Sequence, residues 1–244
     1  MRISRARAGT LFLIGSLVMT LGAIAYPAIG GMTYANTTSD RIIANTPYGP
    51  LTEADRDFVV KVRSAGLWEH PLGRLAMQRG TTKAMKEAGE HLVAGHTLLD
   101  ASCRRIASEL NITLPNQPTP QQQQFVATVQ SKRGTEFDTT AVSIMRVTHG
   151  QIFPAVAKAR ASTENSLVRQ LADQANEVVL DHITSLEKTG MVNFEQANDQ
   201  QTAPPNLPTD QLTPPPPPPG APIVKLTKPE GLGDDFYRTT VSLR

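Results

Sequence analysis

The chain has one cysteine, Cys103, in 244 residues, which excludes any internal disulfide and with it the small cross-linked scaffolds. Cys103 falls within an apolar helical stripe, the setting of an inert buried thiol. Aromatic residues make up only 5%. The middle of the chain has almost no alternation of Val, Ile and Thr with polar residues, so a sheet protein is not expected. Charge of one sign is also missing. Twenty-four Lys and Arg stand against 22 Asp and Glu, a net charge of +2. The signs are mixed through the middle, so there is no basic stripe to follow a phosphate backbone, and no nucleic-acid partner is expected. No His-Glu-x-x-His, glycine-rich phosphate loop or nucleophile elbow occurs, so no catalytic residue is assigned. Glu-x-x-His is absent as well, which removes the two-iron carboxylate pattern of ferritin-like bundles.

What is present begins at the N-terminus. Arg2, Arg5 and Arg7 precede an almost unbroken apolar run over residues 8–31. Basic residues ahead of such a run mark targeting, with the arginines held in the cytoplasm. Ala23-Ile24-Ala25 offers a small-residue cleavage pattern, so a cleaved signal and a secreted product form one reading. The other is an uncleaved anchor. Length favours the anchor, because about 20 apolar residues span a bilayer and signal cores are shorter. Pro27, close behind the cleavage pattern, points the same way. The expectation is a single-pass membrane protein whose bulk lies outside the cytoplasm.

Residues 32–51 are polar and turn-rich and read as a tether. Residues 52–194 carry helical periodicity, enough for one domain. Thr52 and Asp55 open a first helix to Arg79 with stripe Phe58, Val62, Ala65, Glu69, Leu72 and Ala76. Pro71 should kink or split it. After Gly80, a second helix over residues 81–110 has stripe Met85, Leu92, His96, Leu99, Cys103, Ile106 and Leu110. Three prolines break the pattern after Asn111, and a short helix follows over residues 121–132. A third long helix over residues 136–161 has stripe Phe137, Ala141, Met145, His149, Ile152 and Val156. The fourth, capped by Ser162 or Thr163, runs to Thr189 with stripe Leu167, Leu171, Ala175, Val178, His182 and Leu186. Residues 195–222 form a proline-rich linker, stiff and unable to make a core. Residues 223–244 have too few apolar side chains to offset their ordering entropy and read as disordered, or as a tail for a protein or cell-envelope partner.

Each long helix carries one ionisable residue inside its apolar stripe: Glu69, His96, His149 and His182. Each costs free energy unless it is paired. With hairpin turns near Gly80 and Ser162, Glu69 and His96 lie about 16 and 24 Å from their turn, and His149 and His182 about 20 and 30 Å from theirs. Those offsets are large, but side chains lean toward their own helix N-terminus, which closes part of each gap. Two readings follow. Three imidazoles and a carboxylate suit a divalent transition metal such as Zn, Fe or Cu. A buried polar network around Glu69 is the simpler reading and stands ahead, since metal sites usually leave clearer spacing. His70 and His91 fall off the stripes and are expected in solvent. Asp138 is expected to cap or pack locally.

Gly66-Leu67-Trp68-Glu69, Gly73-Arg74-Leu75-Ala76, His96, Leu114-Pro115, Phe137-Asp138, His149 and His182, in that order, resemble the bacterial family called domain of unknown function 4142. The resemblance covers about residues 52–192 and implies an exported or membrane-associated protein with a ferritin-like fold and no settled activity. The family's first-helix glutamate matches Glu69, and its histidines match His96, His149 and His182. This chain departs at Gly95, where the family usually has an Asp, and at residues 177–179, where it tends to have a proline. The first departure removes a carboxylate that could support a ligand. The reading is an all-α, ferritin-like four-helix bundle with an extra short helix, anchored outside the cytoplasm. Its role is non-enzymatic (envelope structural, stress-related or binding), with a metal-binding or redox protein as the alternative.

Overall fold

The computed structural model describes residues 40–202 and 207–233. The apolar run at residues 8–31 lies outside them, and among the described residues no helix is long and apolar enough to cross a membrane. Among the described residues, two short strands, β1 (Ile42–Thr46) and β2 (Gly49–Thr52), precede seven helices: α1 (Glu53–Arg79), α2 (Lys83–Leu110), α3 (Pro120–Gln130), α4 (Gly134–Ser162), α5 (Ser166–Glu187), α6 (Phe194–Thr202) and α7 (Thr209–Leu212).

Local chemistry sets the helix ends. The Thr52 hydroxyl accepts the Asp55 N–H (3.1 Å) while the Asp55 carboxylate accepts the Thr52 N–H (3.0 Å). This reciprocal pair satisfies two donors that the first turn of α1 leaves open. Thr82 caps α2 by accepting the Met85 N–H, and Asn111 ends it in the left-handed region at φ 53°. The cap of α5 is Asn165, whose side chain accepts from Leu167 and Val168, rather than Ser162 or Thr163. Asp138 spans a gap instead of capping: its Oδ2 accepts the N–H (3.0 Å) and hydroxyl (2.5 Å) of Thr81, tying α4 to the turn between α1 and α2.

α1 runs unbroken through Pro71. Trp68 and Leu72 are buried on either side of it. Just beyond, α1 and α2 touch backbone to backbone: a Cβ on Gly73 would lie 2.9 Å from the Gly89 carbonyl, and one on Gly89 would lie 2.6 Å from the Gly73 carbonyl. Packing on both sides of the proline outweighs its missing N–H.

The long helices form a four-helix bundle in the order α1, α2, α5, α4 around the axis, with every neighbouring pair antiparallel. The α4–α5 direction follows from Arg146 bonding Glu187 and Arg160 pairing with Asp173. The α2–α5 direction follows from Arg105 bonding Gln170 and His91 bonding Asp181. α2 and α4 therefore point the same way, and residues 111–133, carrying α3, cross the length of the bundle. The apolar core is in two parts. One, near the α1–α2 turn, holds Trp68, Leu72, Leu92, Phe125, Met145 and Leu186. The other holds Val59, Leu99, Cys103, Ile106, Leu171 and Val178. The two parts meet at the level of Glu69, His96, His149 and His182.

Three segments differ from the sequence reading. Residues 42–52 form an antiparallel hairpin rather than a tether. It seats on the α4–α5 turn: Ser166 donates to the Tyr48 carbonyl (2.8 Å), and Asn165 donates to the Gly49 carbonyl (3.2 Å). Gly49 sits at φ +104°, with the Glu164 carbonyl where a Cβ would be. Within the linker, α6 packs on α4, with Gln151 donating to the Gln200 carbonyl. Residues 222–233 lie against the bundle, and residues 234–244 fall outside the described chain.

Candidate metal centre

The four stripe residues converge. One donor atom from each of Glu69, His96, His149 and His182 lies within 4.8 Å of the other three, and all four residues are buried. The α1–α2 connection is centred at Thr81 and the α4–α5 connection at Glu164. Measured from those centres, each pair is offset by three residues, about 4.5 Å along the axis. Glu69 leans away from its turn and His96 toward it, and the same holds for His149 and His182, which closes that distance. The larger offsets expected from sequence came from placing both turns too early in the chain.

Glu69 Oε2 lies 3.0 Å from His96 Nε2 and 3.1 Å from His149 Nε2. His149 Nε2 lies 3.0 Å from His182 Nδ1. Backbone carbonyls fix the ring hydrogens. His149 Nδ1 is 2.7 Å from the Met145 carbonyl and His182 Nε2 is 3.0 Å from the His91 carbonyl. A carbonyl only accepts, so those two nitrogens carry hydrogen. In the neutral rings, His149 Nε2 and His182 Nδ1 are then bare lone pairs aimed at one another, with the Glu69 carboxylate against the first. Burial pushes both histidines toward the neutral form, more strongly for His182, whose neighbours His96 and His149 act in the same direction. Burial alone would raise the Glu69 carboxyl, but the pull of His149 and His96 when they carry a proton outweighs it and holds it below the usual range. His96 Nδ1 is buried and has no hydrogen-bond partner.

This donor set fits a divalent transition ion. Bonds of about 2.0–2.2 Å from nitrogen and oxygen donors set neighbouring ligands of a tetrahedral shell about 3.3–3.6 Å apart, slightly wider than the three close pairs. Two of the three histidines donate their other nitrogen to a carbonyl, the support that fixes a ligating ring. Beyond His182, the His91 Nδ1 and Asp181 Oδ2 are 2.6 Å apart. Gly95 makes room for the His182 ring, since a Cβ there would lie 2.5 Å from His182 Nε2. Where the resembling family usually has an Asp, this chain has no side chain, and the His182 ring closes on the backbone of α2.

His70 and His91, expected in solvent, are not there. His70 is buried and donates from Nε2 to the Thr227 carbonyl (2.9 Å). Burial, with His96 adding to it, lowers its pKa to about 4. The cover comes from a segment more than 150 positions away, which no local pattern signals. His91 is held against buried Asp181, and its spacing on α2 carried no hint of that partner. Sequence reading also missed the buried ion pair Arg63–Asp100, because both residues fall outside the stripes. Cys103 is fully buried, and burial pushes its thiol pKa well up, as befits an inert core thiol.

No curated protein and no solved structure matches the chain. The family profile described as "Domain of unknown function (DUF4142)" matches residues 43–189, from β1 to just beyond α5. That is more than half of the sequence, it includes the hairpin, and it takes in every residue of the Glu/His cluster. The chain belongs to the DUF4142 family.

Proposed function

We propose that this protein is an extracytoplasmic metal-binding bundle that holds one divalent transition ion between Glu69, His96, His149 and His182. The observation that carries the reading is the lone-pair count. Two imidazole nitrogens, each with its hydrogen committed elsewhere, face one another at 3.0 Å with a carboxylate oxygen beside them. A shared proton or a cation relieves that arrangement; burial works against the proton on both rings, although the Glu69 carboxylate favours it on His149. Four protein ligands would fill a tetrahedral shell, the condition of structural rather than catalytic zinc sites. A stabilising or binding role is therefore favoured over turnover. The single long crossover over residues 111–133 is the connectivity of ferritin-like bundles and supports that fold. The donor set is nevertheless a one-ion set, without the paired carboxylates of two-iron sites.

The second reading is a metal-free polar network in an envelope protein, favoured by Glu69 lying at hydrogen-bond distance from two histidines. Elemental analysis of the dialysed, untagged chain separates the two readings. The metal reading expects about one equivalent after exposure to Zn, Fe, Mn or Cu, with selective loss in Glu69→Gln and His149→Gln. Less than about a tenth of an equivalent with every ion would leave the network. The address rests on Arg2, Arg5, Arg7 and the apolar run at residues 8–31, with an uncleaved anchor as the form proposed.

A further inference from the structure

Residues 222–228 lie across α1, α2 and the crossover as an extended strap whose backbone is held by side chains of the bundle. Asn116 donates to the Pro222 carbonyl (3.1 Å) and accepts the Val224 N–H (2.9 Å). Arg63 donates to the Val224 carbonyl (2.7 Å), Asp100 accepts the Leu226 N–H (3.0 Å), and His70 donates to the Thr227 carbonyl (2.9 Å). Arg63 and Asp100 are themselves a buried ion pair. The strap contributes little apolar burial in return. Ile223 and Val224 are 36% and 45% exposed, while Leu226 reaches inward. The strap is therefore held by backbone hydrogen bonds to buried side chains rather than by packing of its own, and it can open only if those bonds are exchanged for bonds to water.

Leu226 lies against the wall of the Glu/His cluster at Gly66. A Cβ on Gly66 would be 3.0 Å from Leu226 Cδ1 and 3.5 Å from His96 Nδ1. Leu226 and the His96 ring therefore border the same small space, the one left by the missing side chain of Gly66. His96 Nδ1 is buried and unpartnered. While Nε2–H donates to Glu69 Oε2, Nδ1 is an unmet lone pair. A nitrogen that coordinates an ion cannot also carry hydrogen. When Nε2 is a ligand, the neutral ring carries its hydrogen at Nδ1, facing glycine and a leucine methyl. Orphaned buried N–H donors are tolerated less than under-satisfied acceptors, and water supplies the acceptor if the strap lifts.

We propose that ion binding at the Glu/His cluster and docking of residues 222–228 oppose one another, so that metal uptake releases the C-terminal strap. This rests on the metal reading above. Coupling is reciprocal: if metal loosens the strap, removing the strap tightens metal binding by the same factor, and couplings of this kind run roughly 5- to 150-fold.

The test uses the full-length chain in detergent, with Co or Zn as the probe and metal content measured on the same samples. Hydrogen exchange at the Val224 and Leu226 amides is expected to be about tenfold faster in the loaded protein, within that range. Leu226→Ala, which leaves the four ligands untouched, is expected to bind Co more tightly by at least about fivefold, the lower end of the same range. One bound equivalent with unchanged or slower exchange overturns the coupling and leaves the metal reading standing. A chain that takes up no metal overturns both.

Discussion

Replacing Gly95 with alanine tests the cluster through its tightest contact. On an open helix face the change would stabilise by about 1 kcal/mol, because alanine is the better helix former. Here the new Cβ would lie 2.5 Å from His182 Nε2 and 2.8 Å from Val178 Cγ1. Ordinary contact starts near 3.5 Å, so the His182 ring must retreat by roughly 1 Å. It would lose its hydrogen bond to the His91 carbonyl, and Nδ1 would leave its place beside His149. Overpacking costs about 1–3 kcal/mol and the hydrogen bond about 0.5–1.5 kcal/mol. After the helix gain, a net loss of about 2 kcal/mol remains. For a domain of this size that lowers Tm by roughly 4–8 °C. Thermal unfolding followed by circular dichroism, with metal content on the same samples, measures both consequences. The expected result is a lower Tm together with weakened metal uptake. A Gly95→Ala protein as stable as the parent, and equally able to bind metal, would refute the packing argument and the placement of His182 in the cluster.

Acid should destabilise the metal-free protein before the ordinary carboxylates titrate. The fold holds His70, His149 and His182 neutral, while the unfolded chain takes up protons near pH 6.5. Their contribution is complete above that pH and is lost as pH falls toward the His70 value of about 4, because the unfolded state then binds more protons. The urea midpoint is expected to be lower at pH 5 than at pH 7.5; an equal or higher midpoint would show that these rings are not held neutral. The anchor is checked by N-terminal sequencing of the membrane fraction. Retention of the segment over residues 8–31 is expected, and a chain beginning at Tyr26 would show cleavage instead.

The four long helices were legible because their apolar residues recur at three- and four-residue spacing and their caps are local. Thr52, Asp55 and Thr82 act within one turn, so the sequence around them is sufficient. The same stripes exposed Glu69, His96, His149 and His182 as polar intruders. Their convergence was not legible, since an error of two residues in the Ser162 turn moves His149 and His182 apart by several ångströms. The hairpin at β1 and β2 was missed because Ile42–Thr46 has no clean alternation and its anchor, Asn165, is more than a hundred positions away. The docking of residues 222–228 was illegible for the same reason. It is held by Asn116, Arg63, Asp100 and His70 through backbone groups that every residue possesses, and such contacts leave no mark in the composition of the strap.

The crossover between α2 and α4 has a consequence for the order of folding. α1 with α2, and α4 with α5, close across short turns and can form early, because the loops to be ordered are small. Each hairpin alone supplies only half of the donor set, Glu69 and His96 from one, His149 and His182 from the other. The two halves meet only after residues 111–133 have been laid along the bundle and the hairpins have docked. Any signal from the assembled cluster is therefore a clock for the final docking step, blind to the helices as they form.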